Sequence, residues 1–455
     1  MSRRARRAAL AIAVALSPGC SMRTIDAVGL GSTPRADAGT TPTVGEAGAP
    51  PAPGAGPIAP STSSGDTARV WPNAASTANS DAWIVDNHDQ LVEMDPRVLL
   101  LHFYNGIDVS QAQKIAQSQM DAIAEGSRYR GYSDSTAAPF LRYQLVKVVD
   151  LTDHTPPAGW PYVSSTLLPT DSSGAFDVTA LFSQSFAANY GFPDPGAPQR
   201  NLTLCELFEH GVINELWLSV GETGARAPGL MMESKQVYDA DFRPIAGSFD
   251  QCTGYACLQA PHCAVSARIA HLSPVNGPGC DLLVRTAGLE NTHQAIPYLS
   301  SNSLDFFNDE FSKVGGTRFD SYEDFCGTQG SCIDYPSETV AEGTYVDGSR
   351  WRMDPYVQGC GTAHFPSNAR SRWDYSNTQP VLSRCEHYRM RDGQGGADLQ
   401  EPYSSDSVSA YTMRFGSDCG GGWQVYLRQS VPGLHNAAYA SDGARMKNWW
   451  PFLFY

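Results

Sequence analysis

The sequence predicts an α/β protein: a mostly parallel sheet flanked by helices, followed by a loop-rich C-terminal part stapled by disulfides. Apolar runs of strand length alternate with helical periods over residues 81–325, which is the pattern of crossover-connected parallel strands. From Cys326 onward Gly, Asp, Ser, Tyr and Trp dominate and helical periods thin out. Eleven cysteines are present, and ten remain as an even set once Cys20 is set aside.

The elements follow in order. Residues 97–103 (RVLLLHF) form a continuous apolar run behind Pro96, as a strand buried on both faces requires. Asn105-Gly106 marks a turn, and Asp108 suits the N-cap of a helix over 109–125, with Ile115, Met120 and Ile123 toward one face. Residues 141–149 (LRYQLVKVV) give the next strand, and Thr203 with Glu206 has capping-box spacing for a helix to His210. Residues 213–220 (INELWLSV) and 267–272 are further strands, and a helix interrupted near Pro297 spans 289–311. The apolar end around Trp449, Trp450 and Phe452 has to dock on the domain.

The N-terminus carries Arg3, Arg4, Arg6 and Arg7, then an apolar stretch, then Ser17-Pro18-Gly19-Cys20. This layout resembles a bacterial lipoprotein export signal over 1–19, which implies acylation of Cys20 and a location in the cell envelope. Residues 20–80 are Ala, Pro, Gly, Ser and Thr with few apolar side chains and read as a disordered stalk before a globular domain at 81–455. A core at about 81–325 and the loop-rich part at about 326–455 make up that domain. No apolar run is long enough to span a bilayer, so membrane contact is expected through the lipid anchor alone.

In an exported chain Cys205, Cys252, Cys257, Cys263, Cys280, Cys326, Cys332, Cys360, Cys385 and Cys419 are disulfide candidates. Spacing favours the local pairs 252–257, 263–280, 326–332 and 360–385, which leaves Cys205 for Cys419. A zinc cluster of Cys252, Cys257, His262 and Cys263 is the competing reading, and oxidation weighs against it. The formal net charge is −15, and loss of the leader arginines makes it more negative, which excludes nucleic acid as a partner.

No nucleophile elbow, zincin helix, P-loop or dinucleotide fingerprint is present. Acid–base chemistry remains. His364 lies in a polar run (CGTAHFPSN) where Asp374 would orient an imidazole and Asn368, Tyr375 and Asn377 would donate to substrate oxygens. Glu290 and His293 share a helix face. Glu222 stands just past the 213–220 strand, with Glu233 eleven residues on, where open α/β sheets bind ligands. Two such carboxylates suit glycosidic bond hydrolysis. Residues 392–398 with Glu401 are faintly like a calcium loop, and no other cofactor is expected.

Glu233-Ser234, His293, His364-Phe365-Pro366-Ser367-Asn368, Asp374-Tyr375 and Asn448-Trp449-Trp450 together resemble a secreted bacterial family of unassigned activity. The resemblance implies that these positions gather in one cleft and names no substrate. The expectation is an extracytoplasmic hydrolase of a carbohydrate or other envelope polymer, with His364 and Glu233 as acid–base pair and His293, Asp374 and Glu222 beside them. The rivals are a non-catalytic lipoprotein binding a glycan or protein, and a metallohydrolase using His293, His364 and a carboxylate.

Overall fold

A computed structural model describes residues 69–152, 166–221, 232–234, 263–280 and 332–451, less 74, 77–81, 173–175, 266, 273–278, 346, 357–358, 392–396, 440–442, 447 and 449. Cys20, Glu222, Cys252, Cys257, His293, Cys326, the export signal and the expected helix at 289–311 lie outside the described residues.

The central sheet is built from β1 (Arg97–His102), β2 (Gln144–Asp150), β3 (Glu215–Ser219), β4 (Met232–Ser234) and β5 (Ala267–Leu272). Their spatial order is β2-β1-β3-β5-β4, with the first four parallel and β4 antiparallel at the edge. β1 and β3 are central, which is why their sequences are apolar on both faces. Leu99, Leu101, Leu216 and Leu218 join one core cluster, while Val98, Leu100 and Trp217 join the other.

Helix α1 (Val109–Gly126) covers the Val98/Trp217 face. Asp108 caps it as expected, its carboxylate accepting from the Gln111 N–H at 2.8 Å. Ala112, Ala116, Met120 and Ile123 form its buried side, whereas Ile115 is only partly buried. On the opposite face lie Val178–Leu181, Gln184–Tyr190 and α2 (Leu204–Glu209). α2 opens with the expected capping box, in which Thr203 accepts from the Glu206 N–H and Glu206 accepts from the Thr203 N–H.

The folded part reaches back beyond Asp81. Val70–Trp71 pairs with Glu93–Met94, and Trp71 is fully buried. One large apolar side chain in a polar stretch is enough to tie that segment to the core.

The C-terminal part holds a three-stranded antiparallel sheet of β6 (Ile333–Ser337), β7 (Val340–Thr344) and β8 (Arg350–Met353). It is more helical than expected. α3 (Ser409–Phe415) and α4 (Gly421–Gln429) are both present, and every residue of α4 is buried. α4 packs on the same sheet face as α1, through Trp423, Val425 and Leu427. The Gly420–Gly422 run argues against a helix by propensity, yet a Cβ at Gly422 would lie 2.3 Å from Thr412 Oγ1. Close approach of α3 and α4 requires glycine there. Trp450 is also buried, so this part of the apolar terminus is docked.

Cys360–Cys385 pairs as its spacing predicts. Two other expected pairs are overturned: Cys205 bonds Cys263, and Cys280 bonds Cys419. The sheet explains why. Cys205 on α2 and Cys263, four residues ahead of β5, meet on one face, although 58 residues separate them in sequence. Cys280 follows β5 and reaches the entrance of α4, where Asp418 Oδ2 also accepts from its N–H at 3.0 Å. Cys332 is disulfide-bonded as well. With Cys263 oxidised, the zinc cluster loses a ligand, and the disulfides fit an oxidising compartment. Among the described residues no helix is long and apolar enough to cross a membrane.

Candidate functional site

Strand order 2-1-3 creates a switch point between β1 and β3: the chain leaves β1 to one side for β2 and crosses to the other for β3. Loops at the carboxyl ends of such strands diverge and leave a crevice. The residues ending these strands on the α1 face are in register, Asp150 opposite His102, His102 opposite Ser219, and Ser219 opposite Leu272.

His102 and Ser219 are fully buried and hydrogen-bonded, Nδ1 to Oγ at 3.0 Å. The other imidazole nitrogen, Nε2, donates to the Ile107 carbonyl at 3.1 Å. A carbonyl only accepts, so Nε2 carries the proton, and in the neutral ring Nδ1 accepts from the Ser219 hydroxyl. The pair locks the two strand ends and the end of the Tyr104–Asp108 loop into one floor. Above it, the Tyr104 ring is seated between two glycines: a Cβ at Gly106 or at Gly221 would lie 2.3 Å from ring atoms. On the neighbouring strand His271 Nε2 lies 3.1 Å from the Val220 carbonyl. Asp150 is exposed, its Oδ1 accepting from the Thr152 N–H and hydroxyl. Gly221, buried, directly precedes Glu222.

Glu233 does not share this place. It sits within the edge strand β4, opposite Arg268, and so belongs to the amino-terminal half of the sheet. Arg268 and Leu272 are four residues apart on β5, roughly 13 Å at strand rise. The row around Arg268 is structural. Buried Glu215 accepts from Tyr143 Oη at 2.7 Å, Trp217 Nε1 at 2.7 Å and Arg268 Nη1 at 3.3 Å.

The His364 segment folds as a hairpin, Gly361–Thr362 against Phe365–Pro366 with Ala363 and His364 at the turn. Burial, then the nearby Arg372 charge, push the His364 imidazole down to about 4, so it is neutral at ordinary pH. The imidazole–carboxylate couple with Asp374 does not form. Asp374 Oδ2 instead accepts from the Arg370 N–H and Nε, and Oδ1 from Ser376. Nor do the expected substrate donors point outward. Asn368 Nδ2 donates to the Asn377 and Gln379 carbonyls, Asn377 Nδ2 donates back to the Asn368 carbonyl, and Tyr375 Oη donates to the Ala363 carbonyl. These three side chains clasp the loop, and Trp423 and Gln424 of α4 hold it from below through the Thr362 and Ala363 carbonyls.

Residues 392–396 of the expected calcium loop lie outside the described residues, and at Asp398 and Glu401 the neighbours are basic side chains. Asp398 lies among Arg389, Arg384 and Arg391, and Glu401 Oε1 stands 2.7 Å from His387 Nδ1. A carboxylate surrounded by guanidinium groups repels a further cation. Among the described residues no group of three or more His, Cys, Asp or Glu side chains is placed to hold a metal.

Sequence reasoning flagged Glu222 and the Asn105-Gly106 turn but passed over His102, Tyr104 and Ser219. Their signal was positional: they end the two central strands, inside or just beyond runs that read as core. Compared with known protein families, curated proteins and solved structures, the chain matches none.

Proposed function

We propose that this protein is an exported, lipid-tethered hydrolase that cleaves glycosidic bonds of an envelope or extracellular polymer in the crevice at the carboxyl ends of β1 and β3. The observation that carries the reading is the His102–Ser219 floor at the switch point, with Tyr104 seated over two glycines beside it. Glu222 and Asp150 are the carboxylates assigned to this edge by sequence and by register, respectively. One protonates the departing glycosidic oxygen, and the other draws a proton from water or attacks the sugar carbon. Tyr104 offers its ring to a sugar face, and His102 and Ser219 keep the two loops in place.

His364 and Glu233 leave the catalytic set. A neutral imidazole at about 4 is a weak base at the working pH, and Glu233 belongs to the opposite end of the strands. The disulfides support export, because such bonds persist where thiols oxidise.

The test is release of reducing ends from a panel of polysaccharides and peptidoglycan. Glu222→Gln and Asp150→Asn are each expected to lower kcat by roughly 10²–10⁴-fold with KM little changed. Full activity in both variants, or no turnover of any polymer, would remove this function. The second reading, a non-catalytic glycan binder, is favoured by one feature of the surface around Trp373.

A further inference from the structure

We infer that the His364–Trp373 turn is a binding platform for a pyranose ring of a glycan chain, a site separate in its residues from the crevice. Trp373 is 54% exposed, and among the described residues only Met413 is a more exposed large apolar side chain. Its backbone is left-handed, with φ +66°. For a bulky residue that conformation is strained by about 1–2 kcal/mol, and such strain persists only where the surroundings impose it.

Here they do. The Trp373 N–H donates to the His364 carbonyl at 2.8 Å, and the Tyr375 N–H donates to the Trp373 carbonyl at 3.0 Å. Arg370 and Asp374 close the turn by an ion pair of 3.0 Å, and the Tyr375 hydroxyl ties it to Ala363 at 2.8 Å. An indole is thus held outward on a rigid turn before any ligand arrives. Preorganisation of this kind lowers the ordering cost of binding.

The neighbours decide the ligand. The His364 ring stands 6.4 Å from the Trp373 ring, tilted by 50°, and the Arg372 guanidinium lies 5.0 Å from its centroid. Along the chain Trp373 is flanked by Arg370, Ser371, Asp374 and Ser376, none of them apolar. A protein partner's hot spot needs a desolvated apolar core around the aromatic anchor, whereas among the described residues the indole's ring contacts are the His364 imidazole and the Arg372 guanidinium. A lone indole among polar neighbours instead matches a ligand with one small apolar face and many hydroxyls. The C–H face of a pyranose stacks on the indole, while neutral His364 offers one donor and one acceptor to ring hydroxyls.

The choice of a glycan as ligand rests on the proposed function, but binding is read without turnover, so either can fail alone. The experiment is calorimetric titration of the full folded chain with cello-, chito-, xylo- and oligogalacturonate hexamers. Wild-type protein is expected to bind at least one with a Kd of about 0.1–1 mM. Trp373→Gly, whose residue accepts a left-handed backbone without strain, should weaken that binding at least tenfold while its melting temperature holds or rises. Trp373→Phe should stay within a few-fold of wild type. If Trp373→Gly fails to fold, Trp373→Asn carries the same test, because asparagine also tolerates this conformation. Absence of binding to every hexamer, or equal binding by wild type and the glycine or asparagine variant, would overturn the platform.

Discussion

Asp95 couples the stability of this fold to pH. It sits between the Glu93–Met94 strand and β1, with Oδ2 accepting from Gln144 Nε2 at 3.2 Å and Oδ1 buried with no donor. Burial first, and the Glu93 carboxylate second, raise the Asp95 carboxyl to about 7. Glu93 itself is paired with Arg142 at 3.1 Å. One proton shared with Glu93 therefore satisfies the orphan oxygen and removes the like-charge repulsion. The folded state holds this proton over a range where an unfolded aspartate, at 3.8, has released it. Stability from this group is fully present below about pH 4 and is lost as pH rises toward 7. The linkage ceiling is about 4 kcal/mol, and partial exposure with Arg142 and Arg97 nearby reduces it to about 1–2 kcal/mol. In Asp95→Asn the amide donates to Glu93 without titrating. Urea unfolding of the oxidised protein should show the variant about 1–2 kcal/mol more stable than wild type at pH 8, with the advantage gone at pH 4. Parallel pH profiles for the two proteins would show that Asp95 and Glu93 share no proton.

Other expectations rest on the core. Glu215→Ala leaves the buried Arg268 guanidinium without the carboxylate it pairs with, so denaturant unfolding should register a loss of about 3–5 kcal/mol. Gly422→Ala forces α3 and α4 apart at Thr412, and a melting curve should show a cost of about 1–3 kcal/mol that Thr412→Ser does not relieve, because the obstructing atoms are the hydroxyl oxygen and the Thr412 backbone.

The sheet was legible because its strands obey simple rules. The Arg97–His102 and Glu215–Ser219 runs are apolar on both faces, and Asp108, Thr203 and Glu206 are strong local signals that the backbone obeys. What stayed hidden depends on contacts far apart in sequence. α4 begins with glycines that only the approach of Thr412 explains, and Cys205 finds Cys263 because the sheet brings α2 to β5. At the site, position was readable and residue role was not. The rule that ligands gather beyond parallel strands pointed to Glu222, but Asn368, Asn377 and Tyr375 looked like substrate donors when their partners are loop carbonyls. A polar side chain in a turn carries the same letter whether it faces solvent or its own backbone.

Covalent trapping addresses the crevice directly. An epoxyalkyl glycoside of whichever sugar the protein cleaves will esterify a carboxylate that lies within reach of the bound ring, and peptide mass spectrometry locates the adduct. The label is predicted on Glu222 or Asp150, with inactivation proceeding in step. An adduct on Glu233 or Asp374 that abolishes turnover, with both predicted carboxylates unmodified, would contradict a catalytic crevice at the ends of β1 and β3.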